Sequence, residues 1–429
     1  MTSKHNDPHQ FPVLHVATVS LSLPSEFKIA DALTPDGIAF IRDGEGMVAR
    51  GEVLRLRASG PGRIAALAAQ WRSLSTKAQV SDPTPASGRG LVAFGSMAFD
   101  DQSDWESVLI VPRQILGVRD GRAWLTTIGE TPVTNPVFNA DDWISNWAIP
   151  PVLRLEEGSL SEDGFEDIVS AAIAKLEDHR LQKVVLARDL VATLPADFDV
   201  RPAIARLTRR YPSCWTYWVN QRFGASPELL VRVDHGRVSA RVLAGTASRG
   251  TDPDVDRAIA GALAASPKNT TEHRIAVESL VSALEPYCDE INADDVPFSL
   301  ALPNVWHLAS DVQGIISNDS SVLDLAEALH PTAAVAGTPR ETALDLIREL
   351  EPSDRGSYAG PVGWVGADGD GEWVIALRGA VVAGGKLVAH AGCGIVVGSN
   401  PAAELAETQL KFQPISQVLG AGSRPGEPR

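Results

Sequence analysis

Pro361-Val-Gly-Trp-Val-Gly366, Glu372-Trp-Val-Ile-Ala-Leu-Arg-Gly-Ala-Val-Val382 and Lys386-Leu-Val-Ala-His-Ala-Gly-Cys-Gly-Ile-Val-Val397 follow one another closely and read as three strands of a meander. A helix is predicted directly after them, over about 401–413. Strands joined by such short connections pair antiparallel, because a parallel neighbour needs a crossover of a dozen or more residues. The fold is therefore expected to be α+β, not a doubly wound parallel sheet.

The same texture extends upstream. Ile38-Ala-Phe-Ile-Arg42, Asp43-Gly-Glu-Gly46 and Met47-Val-Ala-Arg-Gly-Glu-Val-Leu-Arg-Leu56 read as a β-hairpin. Gly44 and Gly46 look superficially like a dinucleotide loop, but a strand follows where a helix would be required. Phe165, Ile168, Val169, Ala172, Ile173 and Leu176 repeat at helical spacing behind Ser161, a suitable N-cap, so a helix is predicted over 161–180. A strand, Lys183-Val-Val-Leu-Ala-Arg-Asp-Leu-Val-Ala-Thr193, comes next. Further β segments are predicted at 215–219, 228–233 and 237–244, and further helices at about 268–287, 321–329 and 340–350. The region between about 15 and 150 reads as short alternating strands, with an exposed loop from Pro83 to Gly88. The expected organisation is one large domain of antiparallel sheets packed as a sandwich and flanked by helices. It would span 15–415, with a variable half at 15–155 and a motif-bearing half at 156–415. Residues 1–14 and 416–429 are expected to be a disordered start and a flexible tail.

Bulk properties exclude several classes. The chain has 429 residues, 44% hydrophobic and 21% charged, as ordinary globular proteins do. A net charge of -16 argues against nucleic acid and against an anionic membrane surface. It leaves a small anionic substrate open, since a few buried cations or a metal reverse the field locally. Cys214, Cys288 and Cys393 are widely spaced and form no CxxC pair, so neither a thiolate zinc site nor a disulfide framework is expected. Met1-Thr-Ser-Lys-His-Asn-Asp7 has no apolar signal core, and the expected compartment is the cytoplasm.

Several residues could carry chemistry. Lys183 stands at the mouth of an apolar strand. Burial would favour its neutral amine and make it a general base, although a solvent-facing strand-edge lysine fits the spacing as well. Glu228, in Ser226-Pro-Glu-Leu-Leu, is either a partly buried acid or a turn residue. Glu272 shares a helical face with Ile275 and Ala276, while Glu404, Glu407 and Lys411 form a stripe on the last helix. Inward carboxylates without clustered His or Cys suit a hard cation such as magnesium. The competing reading is a solvated Glu407–Lys411 pair. Gly392-Cys393-Gly394 offers backbone that an anion can approach closely, with Cys393 a packing residue. His307 and His330 could be structural or functional, and His273 is assigned no metal.

Nine motifs, in order, resemble the chorismate-utilising enzymes across about residues 160–413. They are Lys183-Val-Val-Leu-Ala-Arg, Ser226-Pro-Glu, Leu243-Ala-Gly-Thr, Lys268-x-x-x-Glu-His, Trp306-His-Leu, His330-Pro-Thr, Arg355-Gly, Ala376-Leu-Arg and Glu404-x-x-Glu-Thr. The resemblance implies that Lys183 deprotonates water for attack at C2 of chorismate while Glu228 protonates the departing C4 hydroxyl. It implies Mg2+ held by Glu272 and Glu407 with Glu404 nearby, and substrate held by Arg378, Tyr358 and Lys411. Gly245, Thr246, His307, Ala334, Leu377 and the Gly392–Gly394 backbone would complete the substrate site.

Two features select a branch by resemblance. Lys183 matches the water-using enzymes, where ammonia-using anthranilate synthases typically carry glutamine. His330-Pro-Thr-Ala-Ala resembles the isochorismate synthase form of that loop, and salicylate synthases typically have threonine at the position of Ala334. The reading is an isochorismate synthase, a monomer without an obligate glutaminase subunit, serving menaquinone in preference to siderophore synthesis. Salicylate synthase is the nearest alternative. One departure is Asn269, where the family usually has an acid, and a moderately weaker hold on Mg2+ is expected from it.

Overall fold

The computed structural model describes residues 11–133, 136–143, 147, 152–178, 180–294 and 296–420, without the side chains of Asp141, Lys268 and Glu272. These residues carry eight α-helices: α1 (Arg63–Ser75), α2 (Glu162–Leu176), α3 (Arg201–Arg210), α4 (Pro253–Ala265), α5 (Pro267–Leu284), α6 (Val322–Leu329), α7 (Arg340–Leu350) and α8 (Pro401–Val418). No described helix is long and apolar enough to cross a membrane.

The strands form one hydrogen-bonded network with two arms that diverge from strand Ser107–Arg119. The first arm runs through Glu45–Ala58, Ile38–Arg42, Trp215–Val219, Arg222–Ser226, Gly379–Ala383 and Lys386–Ile395 to Lys183–Thr193. The second runs through Val92–Ser96, Pro361–Gly366, Gly371–Ile375, Leu229–Asp234 and Arg237–Ser248 to Val305–Ile316. Among the described strands the only parallel pairing is His15–Leu21 with Gln79–Ser81, so the α+β, antiparallel expectation holds. The larger apolar cluster draws on both arms, with Val184, Leu186 and Trp215 from one and Leu230, Val242, Val365 and Trp373 from the other. Alternation explains the division of labour along each strand: Val184 and Leu186 are wholly buried in that core while Lys183 and Val185 face the other way.

The chain passes between the arms twice at adjacent places. Pro227 and Glu228 carry it from Arg222–Ser226 to Leu229–Asp234, and Ala376–Arg378 carry it back from Gly371–Ile375 to Gly379–Ala383. The two passages are bonded to each other: Ile375 N donates to Glu228 O (3.2 Å), Ser226 Oγ to Ile375 O (2.6 Å) and Ala225 N to Arg378 O (3.3 Å). The single strand expected at 372–382 is for this reason two strands, and Arg378 at the break has φ 50°, a left-handed conformation.

Other expectations need correction. α1 lies in the region read as strands, although Ile64, Leu67, Ala68, Trp71 and Leu74 make a buried helical stripe. α3 and α4 were not predicted, although Val255, Ala258, Ile259, Ala262 and Leu263 recur at helical spacing behind the Asp252 cap of α4; of its residues only Asp256 and Leu263 are buried. Phe11 and Leu14 are buried, so the disordered start does not reach residue 14 as expected. Residues 1–10 and 421–429 lie outside the described part. α8 continues to Val418 because Phe412, Ile415, Val418 and Leu419 pack into the smaller apolar cluster, so the expected tail from 416 begins inside a buried turn. In the Pro83–Gly88 loop, Ser87 and Gly88 are buried while Pro83–Ala86 is exposed.

Candidate active site

A cavity of about 310 Å3 opens between the ends of the two arms, at the two passages. That is enough for a small polar substrate. Lys183, Glu228, Gly245, Thr246, His307, Ala334, Tyr358, Leu377, Arg378, Gly392, Gly394, Glu404, Glu407 and Lys411 all line it. Glu272 sits on α5, but its side chain lies outside the described residues. Asn269, one turn earlier on the same helix, lines the cavity.

Lys183 is 3% exposed, so the solvent-facing reading of it is wrong. It begins strand Lys183–Thr193, where the Gly337–Thr338 bridge pairs with Val184 and Lys183 and closes the strand's outer edge. Across the strand lies Gly392-Cys393-Gly394, paired with Ala187, Leu186 and Val185. A Cβ on Gly392 would stand 2.7 Å from Leu186 O and 3.3 Å from the Tyr358 hydroxyl, so glycine is what lets the two strands pair this closely beside the phenol. Cys393 is buried and its thiol is pushed well up by burial, with Glu407 and Glu404 adding to the shift. It is no nucleophile.

Glu228 occupies the first passage and is 5% exposed. Burial raises its pKa to about 7, against the opposing pull of Arg378, Lys183 and Lys411. A carboxyl in that range keeps its proton in a large share of molecules at neutrality and can give it away. Tyr358 stacks on His390 with ring centroids 5.1 Å apart, and burial lifts its phenol to about 12, so it stays a donor.

Arg378 leaves the second passage and donates from Nη2 to His307 Nε2 at 3.1 Å. His307 reaches the cavity through an irregularity in the neighbouring strand. The register between Arg237–Ser248 and Val305–Ile316 slips at Gly245, whose φ is 82°. The slip turns the Gly245 carbonyl to His307 Nδ1 (3.3 Å), with Thr246 Oγ1 at 3.2 Å. Burial, then Arg378 and Lys411, hold His307 well below the ordinary imidazole range, so the ring is neutral.

At the far end α8 presents Glu404, Glu407 and Lys411. Lys411 Nζ bonds Glu407 Oε1 at 2.6 Å and Gly392 O at 2.7 Å. Those side chains are 11% and 25% exposed, so the pair is half-buried in the cavity wall, not solvated. Glu404 is 6% exposed. Glu404 and Glu407 offer carboxylate oxygens to this end of the cavity, and an oxygen donor set suits a hard divalent cation. The residues at this end fit such an ion. Among the described residues a second group, Asp234, His235 and Asp370, has ligand atoms within 4.8 Å of one another. It lies in two surface turns, where Asp370 already accepts from His235 N, and it is apart from the cavity.

Val185, Pro227, Leu243, Ala244, Val335, Ala359 and Ala403 also line the cavity and were not foreseen. All are small or apolar and carry no chemical signal in a sequence.

A lysine, a protonated acid and an arginine–histidine pair around one anion-sized cavity define an enzyme that works on a small carboxylate. Residues 40–420 match the chorismate binding enzyme family, and the chain belongs to it. It is 43% identical over 348 residues to a Mycobacterium tuberculosis (strain H37Rv) protein provisionally named isochorismate synthase MenF, covering 78% of this chain and 88% of that one. It is 35% identical over 269 residues to isochorismate synthase MenF of Bacillus subtilis, where the match spans 62% of this chain and 57% of that protein's length. The crystal structure of a provisionally assigned 2,3-dihydroxybenzoate-specific isochorismate synthase, DhbC, from Bacillus anthracis superposes with a TM-score of 0.76 at 29% identity, covering 92% of this chain and 99% of that one.

Proposed function

We propose that this protein is an isochorismate synthase, an isomerase that adds water at C2 of chorismate with loss of the C4 hydroxyl. The observation that carries the reading is the convergence of buried Lys183 and buried Glu228, 45 residues apart in the chain, on one cavity that also holds Arg378 and Lys411. Lys183 Nζ takes a proton from water as its oxygen bonds to C2. Glu228 gives its proton to the C4 oxygen as that C–O bond breaks. One water enters and one leaves, and the two side chains must exchange a proton with solvent before the next turnover. Arg378 and Tyr358 hold carboxylate oxygens, Arg378 with the fork that suits them. The neutral His307 fixes that fork without adding charge. Thr246, Leu377 and the Gly245 and Gly392–Gly394 backbone shape the wall.

Mg2+ is the cation we assign to the α8 end; Glu407 and Glu272 would hold it with Glu404 nearby, and Asn269 leaves one charge fewer there. When bound, it neutralises the ring carboxylate. Small Ala334 in the wall supports isochorismate over salicylate as the product. Menaquinone synthesis is the pathway we favour, on the likeness to proteins named MenF. The buried free thiols Cys214, Cys288 and Cys393 accord with a cytoplasmic location. We infer a monomer that needs no glutaminase.

Incubation with chorismate and Mg2+, without ammonia or any partner protein, is expected to give isochorismate by mass spectrometry. Salicylate with equal pyruvate, or no product unless ammonia is supplied, would sink the assignment.

A further inference from the structure

We propose that His330 is a positioning residue for Tyr358, acting through the carbonyl of Ala359. The inference rests on the reading that the cavity takes chorismate. His330 caps the C-terminus of α6, is 5% exposed, and lies 3.0 Å through Nε2 from Ala359 O. A carbonyl only accepts, so Nε2 carries the hydrogen. The other ring nitrogen, Nδ1, is buried with no hydrogen-bond partner among the described residues. An apolar side chain would avoid that penalty, so the ring's contribution is the Nε2 donor. Burial holds the imidazole down at about 3, and the neutral donor is present throughout the physiological range. Phe99 meets the ring edge-on at 5.8 Å, and Arg355 lies over Phe99 at 4.4 Å, which fixes the ring's orientation.

What the donor holds is a strained corner. Ala359 has φ 59°, a conformation that alanine adopts only when its surroundings impose it. Its N–H is tied to Ala376 O at 3.1 Å, beside the second passage. The next residue, Gly360, packs so closely that a Cβ there would stand 2.2 Å from Met97 O. His330 supplies the constraint on the carbonyl side. Tyr358, immediately before the corner, projects into the cavity, so its aim follows the Ala359 backbone. The same histidine opens the segment that brings Ala334 and Val335 to the cavity, so one bond joins two pieces of the wall.

The test compares His330→Leu, which keeps bulk and loses the donor, with His330→Gln, whose amide N–H reaches about as far as Nε2. His330→Leu is expected to raise KM for chorismate about tenfold with a smaller change in kcat, and His330→Gln to recover most of it. In a Tyr358→Phe background the His330→Leu effect is expected to shrink below about twofold, because both changes act on one contact. A merely structural histidine would lower the melting temperature and leave KM per folded molecule alone, and that result would overturn the proposal. So would an undiminished effect in the Tyr358→Phe background. Should His330→Leu not fold, His330→Asn, whose amide falls short of the carbonyl, replaces it, and equal KM for Asn and Gln would likewise overturn it. Chorismate dissociation constants from calorimetry on the same variants read the positioning without turnover. Failure of the unaltered protein to make isochorismate while these constants follow the expected order would overturn the proposed function alone.

Discussion

Arg378 Nη2 donates to His307 Nε2 across 3.1 Å, and because a guanidinium cannot accept, His307 holds that nitrogen bare and carries its hydrogen on Nδ1. Gly245 O and Thr246 Oγ1 share the Nδ1 hydrogen. The bulged strand thus sets the tautomer, and the tautomer sets the arginine. Nitrogen chemical shifts are expected to show Nε2 still unprotonated at pH values well below the ordinary imidazole range, since burial and two cations oppose a second proton. Arg378→Lys, which loses the fork, is expected to raise KM for chorismate by about ten- to a hundredfold.

Glu228 acts in its protonated form, so the limb of the kcat profile that it governs is expected to fall as pH rises through about 7. Glu228→Gln should lower kcat by about 10²–10⁴ and remove that limb from the pH profile. The sign for stability runs the same way. A carboxyl whose pKa rises on folding binds its proton more tightly in the folded state, so its contribution is complete below the unfolded pKa of 4.5 and is lost as pH climbs through about 7. Denaturant titrations should therefore find Glu228→Gln more stable than the unaltered protein at pH 8, by on the order of 3 kcal/mol, with the advantage gone near pH 4.5.

Lys183→Ala removes the proposed base from a site 3% exposed to solvent, where bulk water cannot easily replace it. Isochorismate formation is expected to fall by about 10²–10⁴, while calorimetric binding of chorismate changes far less. Comparable losses in both would assign Lys183 to substrate binding instead.

Arg355 and Glu351 form a buried pair at 2.5 Å, with side chains 3% and 6% exposed. Glu351 also accepts from Ala187 N, and Arg355 donates to Val185 O and Val335 O, so the pair ties the Lys183 strand to the loop of Ala334. Glu351→Gln leaves a buried guanidinium without its countercharge. It is expected to cost about 3–5 kcal/mol in urea unfolding.

Chelation with EDTA is expected to abolish turnover, and Mg2+ to restore it. Mg2+ should also raise the melting temperature of the unaltered protein, because a ligand of the folded state alone stabilises it. Glu407→Gln should lose that rise. Asn269→Asp, which adds a carboxylate at the cavity edge, should enlarge it at a fixed Mg2+ concentration.

Strand Pro361–Gly366 and helices α6 and α7 lie within a residue of where their periodicity puts them, since each buries one clear face. α4 was missed although its apolar residues recur at helical spacing behind Asp252 and Pro253. It is held by Asp256, which takes bonds from Arg249, Gly250 N and Trp306 Nε1, and such contacts leave no pattern along the chain. At the site, the residues with distinctive chemistry were legible through their order in nine motifs. The supporting wall was not: Val185, Leu243, Ala244 and Ala359 are side chains any core could use.

Alternation and helical spacing were enough to establish antiparallel strands, the hairpins and an α+β class, because hydrogen-bonded strands and helices each impose their own period on side-chain direction. Burial was another matter. Whether Lys183 faced water, whether Glu228 was an acid or a turn, and whether Glu407–Lys411 was a surface pair all depended on what the other arm of the sheet places against them. The two passages answered those questions by bringing Glu228 and Arg378 side by side from positions 150 residues apart. Desolvation is a property of the packed neighbourhood, and so the pKa of Glu228 near 7 exists only once the chain has folded.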